Sequence, residues 1–320
     1  MAFLKKVFRK LAYPLYFFVV FLVAFYWTFP LDKMKWFVAQ KMEEGLAGNP
    51  EQPWLIPPRV QISGMNFWWI SGVALNDVVL QPGSHSDTPA SKWEFDTLKL
   101  RVGMFSTLLG SPKMEFDSQF YGGRARGAFK LDPKGGVSQF WLEMSNINLA
   151  AVTGMDSKLP VKGYLNLDAD FNLGQDVAKD GKGSLSFSFK PLALGPGVLE
   201  LPMPGMAGLT LPRIDLGEFS GKFLLKDGKG KTENFKMAGG KIEIGLDLDV
   251  ELKKNLLFSP LNGSGWFRVD PQFIAANPNM GAILDLSPEL KAAKDEQGRY
   301  LFGLRGTLGM PIPHLGKMGS

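Results

Sequence analysis

The stretch that decides the fold is Lys241–Leu252, KIEIGLDLDVEL. Its apolar residues occupy every second position, and charged residues fill most of the positions between them. Because successive side chains of a β-strand point to opposite faces, this alternation predicts a strand with one apolar and one solvated face. The apolar positions are Ile242, Ile244, Leu246, Leu248, Val250 and Leu252.

The same alternation recurs in Tyr164–Leu173 and in Ser184–Lys190. Asp132–Gly136 and Asp227–Gly230 are short turn sequences between such segments, as antiparallel hairpins require. No long helical segment alternates with the strands, which excludes a βαβ arrangement. Further strands are predicted at Val73–Leu80, Trp93–Val102, Lys113–Tyr121, Arg124–Leu131, Gln139–Met144, Phe219–Lys226, Gly265–Val269 and Tyr300–Met310.

The fold class is therefore mainly β: a single N-terminal transmembrane helix followed by an extended, mostly antiparallel sheet with a few short helices. The apolar face of such a sheet needs cover, and a second sheet would supply it in a sandwich. Alternatively, the sheet curls into a groove that packs its own aromatic rings or holds an apolar ligand such as a lipid chain. A packed core is the simpler interpretation. Candidate residues of the groove or core face are Leu165, Leu167, Phe171, Leu185, Phe187, Phe189, Ile242, Ile244, Leu246, Leu248 and Val250.

A run without any charged residue, Leu11–Phe29, precedes the strands. A membrane-spanning helix needs about 20 apolar residues, so the run is long enough for one crossing. Basic residues before the run favour a cytoplasmic N-terminus, and aromatic rings at its end suit the headgroup layer. The run is longer than a signal-peptide core and lacks a small-x-small cleavage site, which favours a permanent anchor over a cleaved signal peptide. The topology-determining residues are Lys5, Lys6, Arg9, Lys10, Tyr26 and Trp27.

The predicted domain organisation follows from these segments. A cytoplasmic basic segment at 1–10 precedes the anchor at 11–30. A juxtamembrane helix and a Pro-rich linker occupy 31–58; the helical part, Leu31–Leu46, is alternatively a continuation of the span into the interface. The β-rich domain at 59–320 would lie in the periplasm, and an apolar, Pro- and Gly-rich stretch at 192–212 would divide it into two halves.

Charge and residue types exclude several functions. The net charge is +5, but four of these charges precede the apolar run, so no nucleic-acid-binding surface is indicated. The chain has no Cys, and its two histidines, His85 and His314, lie in predicted turns or tails. No catalytic residue, metal site or cofactor is predicted. Aspartate pairs within the strands are interpreted as parts of a solvated face, and Asn262-Gly263 as a turn.

Several segments together resemble a known family, the N protein of type II secretion systems (GspN). They are MEFDSQFYGGRARGAFKL at 114–131, WLEMSNINLAAVTG at 141–154, LPVKGYLNLDADFNL at 159–173, GKGSLSFSF at 181–189, GEFSGKFLLKDGKGKTENFKMAGGKIEIGLDLDVEL at 217–252 and GSGWFRV at 263–269. Gly122-Gly123, Asn146–Leu149 and Leu159-Pro160-x-x-Gly163 carry most of the resemblance. The pattern is also similar to the broader AsmA-like group of anchored periplasmic proteins with groove-shaped sheets. The resemblance implies a cell-inner-membrane protein and brings no catalytic motif.

Two functions are therefore expected, neither of them enzymatic. The first is an accessory component of a type II secretion system, anchored in the inner membrane and contacting other secretion proteins through its periplasmic β-domain. The second is an AsmA-like protein that binds or transports lipid in an apolar groove in support of the outer membrane. A membrane-anchored hydrolase is a third class, and it lacks any recognisable nucleophile–base pair.

Overall fold

The computed structural model describes residues 30–46, 58–69, 71–81, 92–133, 136–153, 159–174, 176–199, 209–278, 281 and 288–316, and positions 16, 17, 20, 21, 24 and 28. Most of the predicted anchor lies outside these residues, as do the topology-determining Lys5, Lys6, Arg9, Lys10, Tyr26 and Trp27. The described positions inside the apolar run are helical, and Thr28 Oγ1 donates a hydrogen bond to the Ala24 carbonyl at 2.7 Å. Among the described residues, no helix is both long and apolar enough to cross a membrane.

Strands dominate the described part of the chain, as the alternation predicts, and the helices are short except for the first. The helices are α1 Leu31–Leu46, α2 Met104–Leu108, α3 Leu149–Thr153, α4 Val177–Asp180, α5 Pro271–Ala276 and α6 Pro288–Ala293, with a 3₁₀ turn at Leu256–Phe258. The strands are β1 Arg59–Trp68, β2 Gly72–Gln81, β3 Trp93–Val102, β4 Lys113–Phe120, β5 Gly123–Leu131, β6 Val137–Asn148, β7 Val161–Lys162, β8 Tyr164–Asn172, β9 Lys182–Leu194, β10 Gly197–Leu199, β11 Leu209–Leu211, β12 Ile214–Lys226, β13 Lys229–Gly239, β14 Ile242–Glu251, β15 Pro260–Val269, β16 Tyr300–Thr307 and β17 Met310–Leu315.

One antiparallel sheet contains every strand except β10 and β11, which form a separate two-stranded ribbon. Each strand of its main path pairs with the strands before and after it, from β1 at one edge to β17 at the other, and β7 pairs with β9. β9 pairs directly with β12, so the hydrogen bonding continues across the stretch at 192–212. Of the two predicted arrangements, the described strands adopt the single extended sheet, and no second sheet of similar size lies against it.

Pair register places most of the apolar side chains of these strands on one side of the sheet; Trp141, Leu224 and Trp266 are among the exceptions. Directly opposed residues of an antiparallel pair share a face. For example, Leu167 of β8 is opposite Phe187 of β9, and Ile244 of β14 is opposite Phe267 of β15. We call this side the apolar face and the other side the polar face.

The strand ends form two rims. One rim, which we call the first rim, contains Arg59, Trp93, Ile214 and Val269, and the second rim contains Trp68, Val102, Leu225 and Leu261. The buried core is divided into three clusters along the apolar face. One lies under α1, one at the second rim around Leu225, Val250, Leu252 and Leu261, and one at the first rim around Ile214, Val269 and Phe273 of α5.

Helix α1 has the bounds predicted from its apolar recurrence. Leu31, Met34, Val38 and Met42 pack against the cluster of Val60, Met65, Leu75 and Val78, which belong to β1 and β2. The Glu43 carboxylate accepts a hydrogen bond of 2.7 Å from the Val60 amide. The helix therefore covers the apolar face at the β1 edge.

Six strands have no counterpart among the predicted ones: the short β7, β10 and β11, of which β10 and β11 lie within the stretch at 192–212, and the longer β1, β13 and β17. β1 was missed because its apolar parity changes around Gly64, β13 because KGKTENFKMAG is mostly polar, and β17 because it contains two prolines. The interpretation of Asn262-Gly263 as a turn was wrong. Both residues lie inside β15, where a Cβ on Gly263 would be 2.2 Å from Leu248 Cδ2, so the glycine accommodates a leucine of the neighbouring strand. Asp180 ends helix α4 and is not part of a tight hairpin.

Candidate functional site

The predicted groove or core residues lie together on the apolar face. Register across β8 and β9 sets Leu165 opposite Phe189 and Leu167 opposite Phe187. Leu185 and Phe171 belong to the same two strands and face the same way. Ile242, Ile244, Leu246, Leu248 and Val250 occupy β14, two strands beyond β12.

A cluster of phenylalanine rings joins these two groups of residues. The ring of Phe187 lies 5.1 Å from that of Phe219 and 5.0 Å from that of Phe235, measured between centroids. Phe219 and Phe235 are 5.2 Å apart, and Phe189 stacks on Phe219 at 5.8 Å. Such distances and their mostly edge-to-face geometry are those that aromatic pairs favour. We call these four rings the phenylalanine cluster.

Two rings of the cluster, Phe219 and Phe235, were absent from the predicted face. Phe219 begins a predicted strand whose alternation could have identified it. Phe235 and Met237 are the only large apolar residues of β13, too few to form a clear alternation, and the pairing of Phe235 with Leu246 of β14 reveals its face. The sequence pattern of β13 carries no such signal.

The four rings of the phenylalanine cluster are only half-buried. Leu165, Leu167, Phe171, Leu185, Ile244, Leu246 and Leu248 are half-buried as well, whereas Val250 is buried at the second rim. Side chains in the interior of a sandwich would be buried by the facing sheet. The middle of the apolar face is therefore a single layer whose hydrophobic side remains accessible to solvent.

Glycines shape the floor of this face. A Cβ on Gly221 would lie 2.6 Å from the ring of Phe235, and one on Gly230 would lie 2.1 Å from the ring of Phe223. The same relation links Gly265 with Phe302 and Gly127 with Phe116. Each ring thus lies flat over the backbone of a glycine on the neighbouring strand, an arrangement that compensates for the missing side chain. Aromatic rings consequently line much of this floor.

The polar face is organised by ion pairs between neighbouring strands. Arg124 of β5 binds Asp117 of β4 through two hydrogen bonds of 2.8 and 2.6 Å, and Arg126 binds Glu143 of β6. Arg124 lowers the pKa of the Asp117 carboxyl below its ordinary value of 3.8, because its hydrogen bonds favour the charged form. A hydrogen bond from Lys113, supported by Arg101, likewise lowers the pKa of Glu115. These contacts link neighbouring strands of the sheet.

The aspartate pairs occupy the polar face, as expected for a solvated surface. Asp168 and Asp170 lie on β8, and Asp249 of β14 is 3.9 Å from Lys231. The described residues include no group of three or more His, Asp or Glu side chains arranged to hold a metal ion. His85 lies outside the described residues, and His314 lies in β17.

One of two surface hollows among the described residues borders the phenylalanine cluster. A hollow of about 640 Å³ is lined by residues 292–297 and Leu301, next to α6. Another, of about 440 Å³, is lined by polar and apolar residues of β6, β8 and β9, including Glu143, Asp168 and Phe187. The hydrophobic surface of the apolar face remains the candidate site.

Comparison with protein-family models, with curated proteins and with solved structures finds no match to this chain.

Proposed function

We propose that this protein binds the hydrocarbon chains of lipids on its apolar face. The observation that supports this function best is the half-buried phenylalanine cluster in the middle of a single-layer sheet. A soluble domain gains free energy by covering such a surface, at about 25 cal/mol for each Å² of apolar area removed from water. Acyl chains are flexible and can adapt to an aromatic surface, whereas a rigid polar ligand would find few hydrogen-bond partners there.

The energetics favour exchange of lipid over permanent storage. Each methylene transferred from water to an apolar surface contributes about 0.8 kcal/mol, so ten methylenes contribute roughly 8 kcal/mol. A lipid that arrives from a bilayer has already gained this energy, and its transfer to the apolar face is nearly neutral. At equilibrium, lipid would therefore be shared between the bilayer and the apolar face without a strong preference for either.

The proposed location is the bacterial inner membrane. In this proposal Leu11–Phe29 forms a single span, the basic residues before it stay in the cytoplasm, and the β-rich domain lies in the periplasm. The function requires no cofactor, and we propose that the protein is not an enzyme. Its partners would be the inner-membrane bilayer and the lipid on the apolar face, and no nucleic acid.

Photo-crosslinking in the full-length chain tests the proposal. A benzophenone amino acid at Phe187 would point into the phenylalanine cluster, and the same amino acid at Ser186 would point to the polar face of the same strand. After irradiation in cells, mass spectrometry of the purified chain should find phospholipid adducts at Phe187 and few at Ser186. Equal yields at both positions, or no adduct at Phe187, would exclude lipid binding on this face.

A component of a type II secretion system is the second candidate function. It is supported by the resemblance of Lys113–Met310 to the family described above. The residues that carry this resemblance include Gly122, whose φ of 71° belongs to the hairpin turn between β4 and β5, and Gly163, with a φ of 143°. They are positions at which the backbone restricts residue choice, so the resemblance supports a shared architecture more directly than a shared partner.

Co-purification separates the two candidates. Mild solubilisation of membranes containing the tagged full-length chain should recover other secretion proteins if the second candidate is correct. Their absence, together with normal secretion in a deletion strain, would rule out the secretion role and leave lipid binding unaffected.

A further inference from the structure

We infer that exposed apolar residues at the β1–β4 part of the second rim insert into the surface of the membrane that holds the anchor. These residues are Trp69, Met104, Leu108 and Leu109, and we call them the membrane rim. The inference deepens the proposed function. It rests on the proposed membrane anchor, because the anchor specifies which membrane these residues would enter.

Exposure is the first observation. Trp69 is 71% exposed, and Leu108 and Leu109 are 82% and 83% exposed. The two connections that carry these residues, 68–72 and 102–112, contain no charged residue. Connections between strands are usually polar because they face water. Uncharged connections that expose large apolar side chains indicate that their surroundings are apolar.

The conformation of Trp69 is the second observation. Its φ is 59°, in the left-handed region that glycine and asparagine occupy most readily. A bulky residue at such a position is strained, and an exposed indole in a turn gains little from contacts within the fold. Tryptophan is favoured at the interface between lipid headgroups and hydrocarbon, where its ring is partly apolar and its N–H remains solvated.

The connections are held firmly in place. The Val102 amide donates a hydrogen bond of 3.2 Å to the Ser71 carbonyl, which joins the Trp69 turn to the end of β3. Ser106 Oγ accepts a hydrogen bond from the Lys113 amide and donates one to the Gly103 carbonyl. α2 therefore projects Leu108 and Leu109 from a fixed base, beside the turn that carries Trp69.

The direction of α1 indicates that the partner is a bilayer, because it brings the proposed anchor to the same rim. Glu43, near the C-terminal end of α1, binds the Val60 amide near the start of β1. Lys35, near the N-terminal end of α1, donates a hydrogen bond of 3.1 Å to the Ser63 carbonyl, farther along β1. α1 therefore runs opposite to β1, and its first residue points to the rim of Trp68 and Trp69. The apolar run Leu11–Phe29 ends two residues before α1 and so joins the domain at this rim.

Insertion of the membrane rim would give the domain a second attachment beside its anchor. A single helix leaves the attached domain free to rotate, whereas several inserted side chains on neighbouring strands fix its tilt. Strands in a sheet are about 4.8 Å apart, so β4 lies only about 15 Å from the anchored edge. The uncovered part of the apolar face would then begin close to the bilayer surface.

Single-cysteine labelling tests this inference, because the chain has no native Cys. We would place an environment-sensitive fluorophore on Leu108→Cys and, as a control, on Trp93→Cys, which lies at the opposite end of β3 and is 49% exposed. In full-length chain reconstituted into vesicles, spin-labelled lipids should quench the Leu108→Cys label by at least about twofold, as expected for interfacial insertion, and leave the Trp93→Cys label nearly unchanged. Equal weak quenching of both labels would overturn the inference. Shielding from water without lipid quenching would also overturn it, because it would indicate a protein partner at the rim.

A charged double substitution provides a second readout. With the label on Met104→Cys, introducing Leu108→Asp and Leu109→Asp should abolish lipid quenching while the fold is retained, because both leucines are exposed. Unchanged quenching would argue against insertion. Carbonate extraction of the same samples tests the anchor, and crosslinking at Phe187 tests lipid binding, so failure of either proposed property is distinguished from failure of the membrane rim.

Discussion

The apolar face is covered at β1–β3 and bare in the middle of the sheet, although the strands of both regions follow the same alternation. Under α1, Leu75 and Val78 are 0% exposed. In the bare region, residues of the phenylalanine cluster occupy equivalent alternating positions and remain half-buried. What distinguishes the first region is helix α1, which packs against it. Alternation therefore determines which side of a strand is apolar, whereas cover depends on an element from another part of the chain.

Truncating a leucine should have its largest effect in the covered region. Leu75→Ala removes a fully buried side chain and leaves a cavity, so we expect the free energy of unfolding to fall by about 3 kcal/mol. Leu185→Ala in the bare region removes a half-buried side chain that solvent already reaches, and we expect a loss of about 1 kcal/mol. Denaturant unfolding of the full-length chain in mild detergent would measure both. Equal losses would show that the bare region is covered in solution.

Weakening the packing of α1 should expose the apolar side chains of β1 and β2 to solvent. Val38 packs against the β1–β2 cluster, so Val38→Asn buries an amide without a prepared partner and should cost about 2 kcal/mol. Gln40→Asn introduces the same residue on the exposed side of α1 and serves as the control. Hydrogen exchange at the β1 and β2 amides should accelerate in the first variant only. If β1 and β2 stay protected in Val38→Asn, another element must hold these strands.

The aromatic floor of the bare region depends on its glycines. Gly230→Ala would push the ring of Phe223 away from the backbone, at a cost of roughly 1–2 kcal/mol, as for other overpacked sites. Combining it with Phe223→Leu, which shortens the side chain, should recover part of that loss. A double-mutant cycle of unfolding free energies checks this coupling. Strictly additive effects would mean that the glycine and the ring act independently.

The ion pairs of the polar face should contribute to stability in a pH-dependent way, and their effect should be smaller than those of the substitutions above. Arg124 lowers the pKa of Asp117 in the folded state, so this pair stabilises the fold fully above the ordinary carboxyl pKa of 3.8 and loses its effect as the pH falls through the lowered value. Stability should therefore decline as the pH falls below about 4, and Asp117→Asn should flatten that decline. Asp168→Asn, on the same face and without an ion pair among the described residues, is the control. An identical pH profile for both variants would contradict a specific role of Asp117.

The sequence was sufficient to predict the antiparallel sheet, α1 and the residues of the apolar face, because these follow from local periodicity and turn residues. Phe235 could not be assigned, since its strand is polar and its face is set by pairing with β14. The single-layer arrangement could not be predicted either. A strand that packs against a second sheet and one that faces solvent have the same pattern, and only long-range packing distinguishes them.

The neighbour-to-neighbour pairing of the strands also has a consequence for folding during the export across the inner membrane that we propose. A chain that crosses a membrane from its N-terminus presents α1, β1 and β2 first, and these form a cluster of their own. Each later strand then finds its partner already in place, so no pairing waits for a distant segment and little entropy is spent on closing large loops. The protein can thus fold progressively, strand by strand, while its C-terminal part is still in transit.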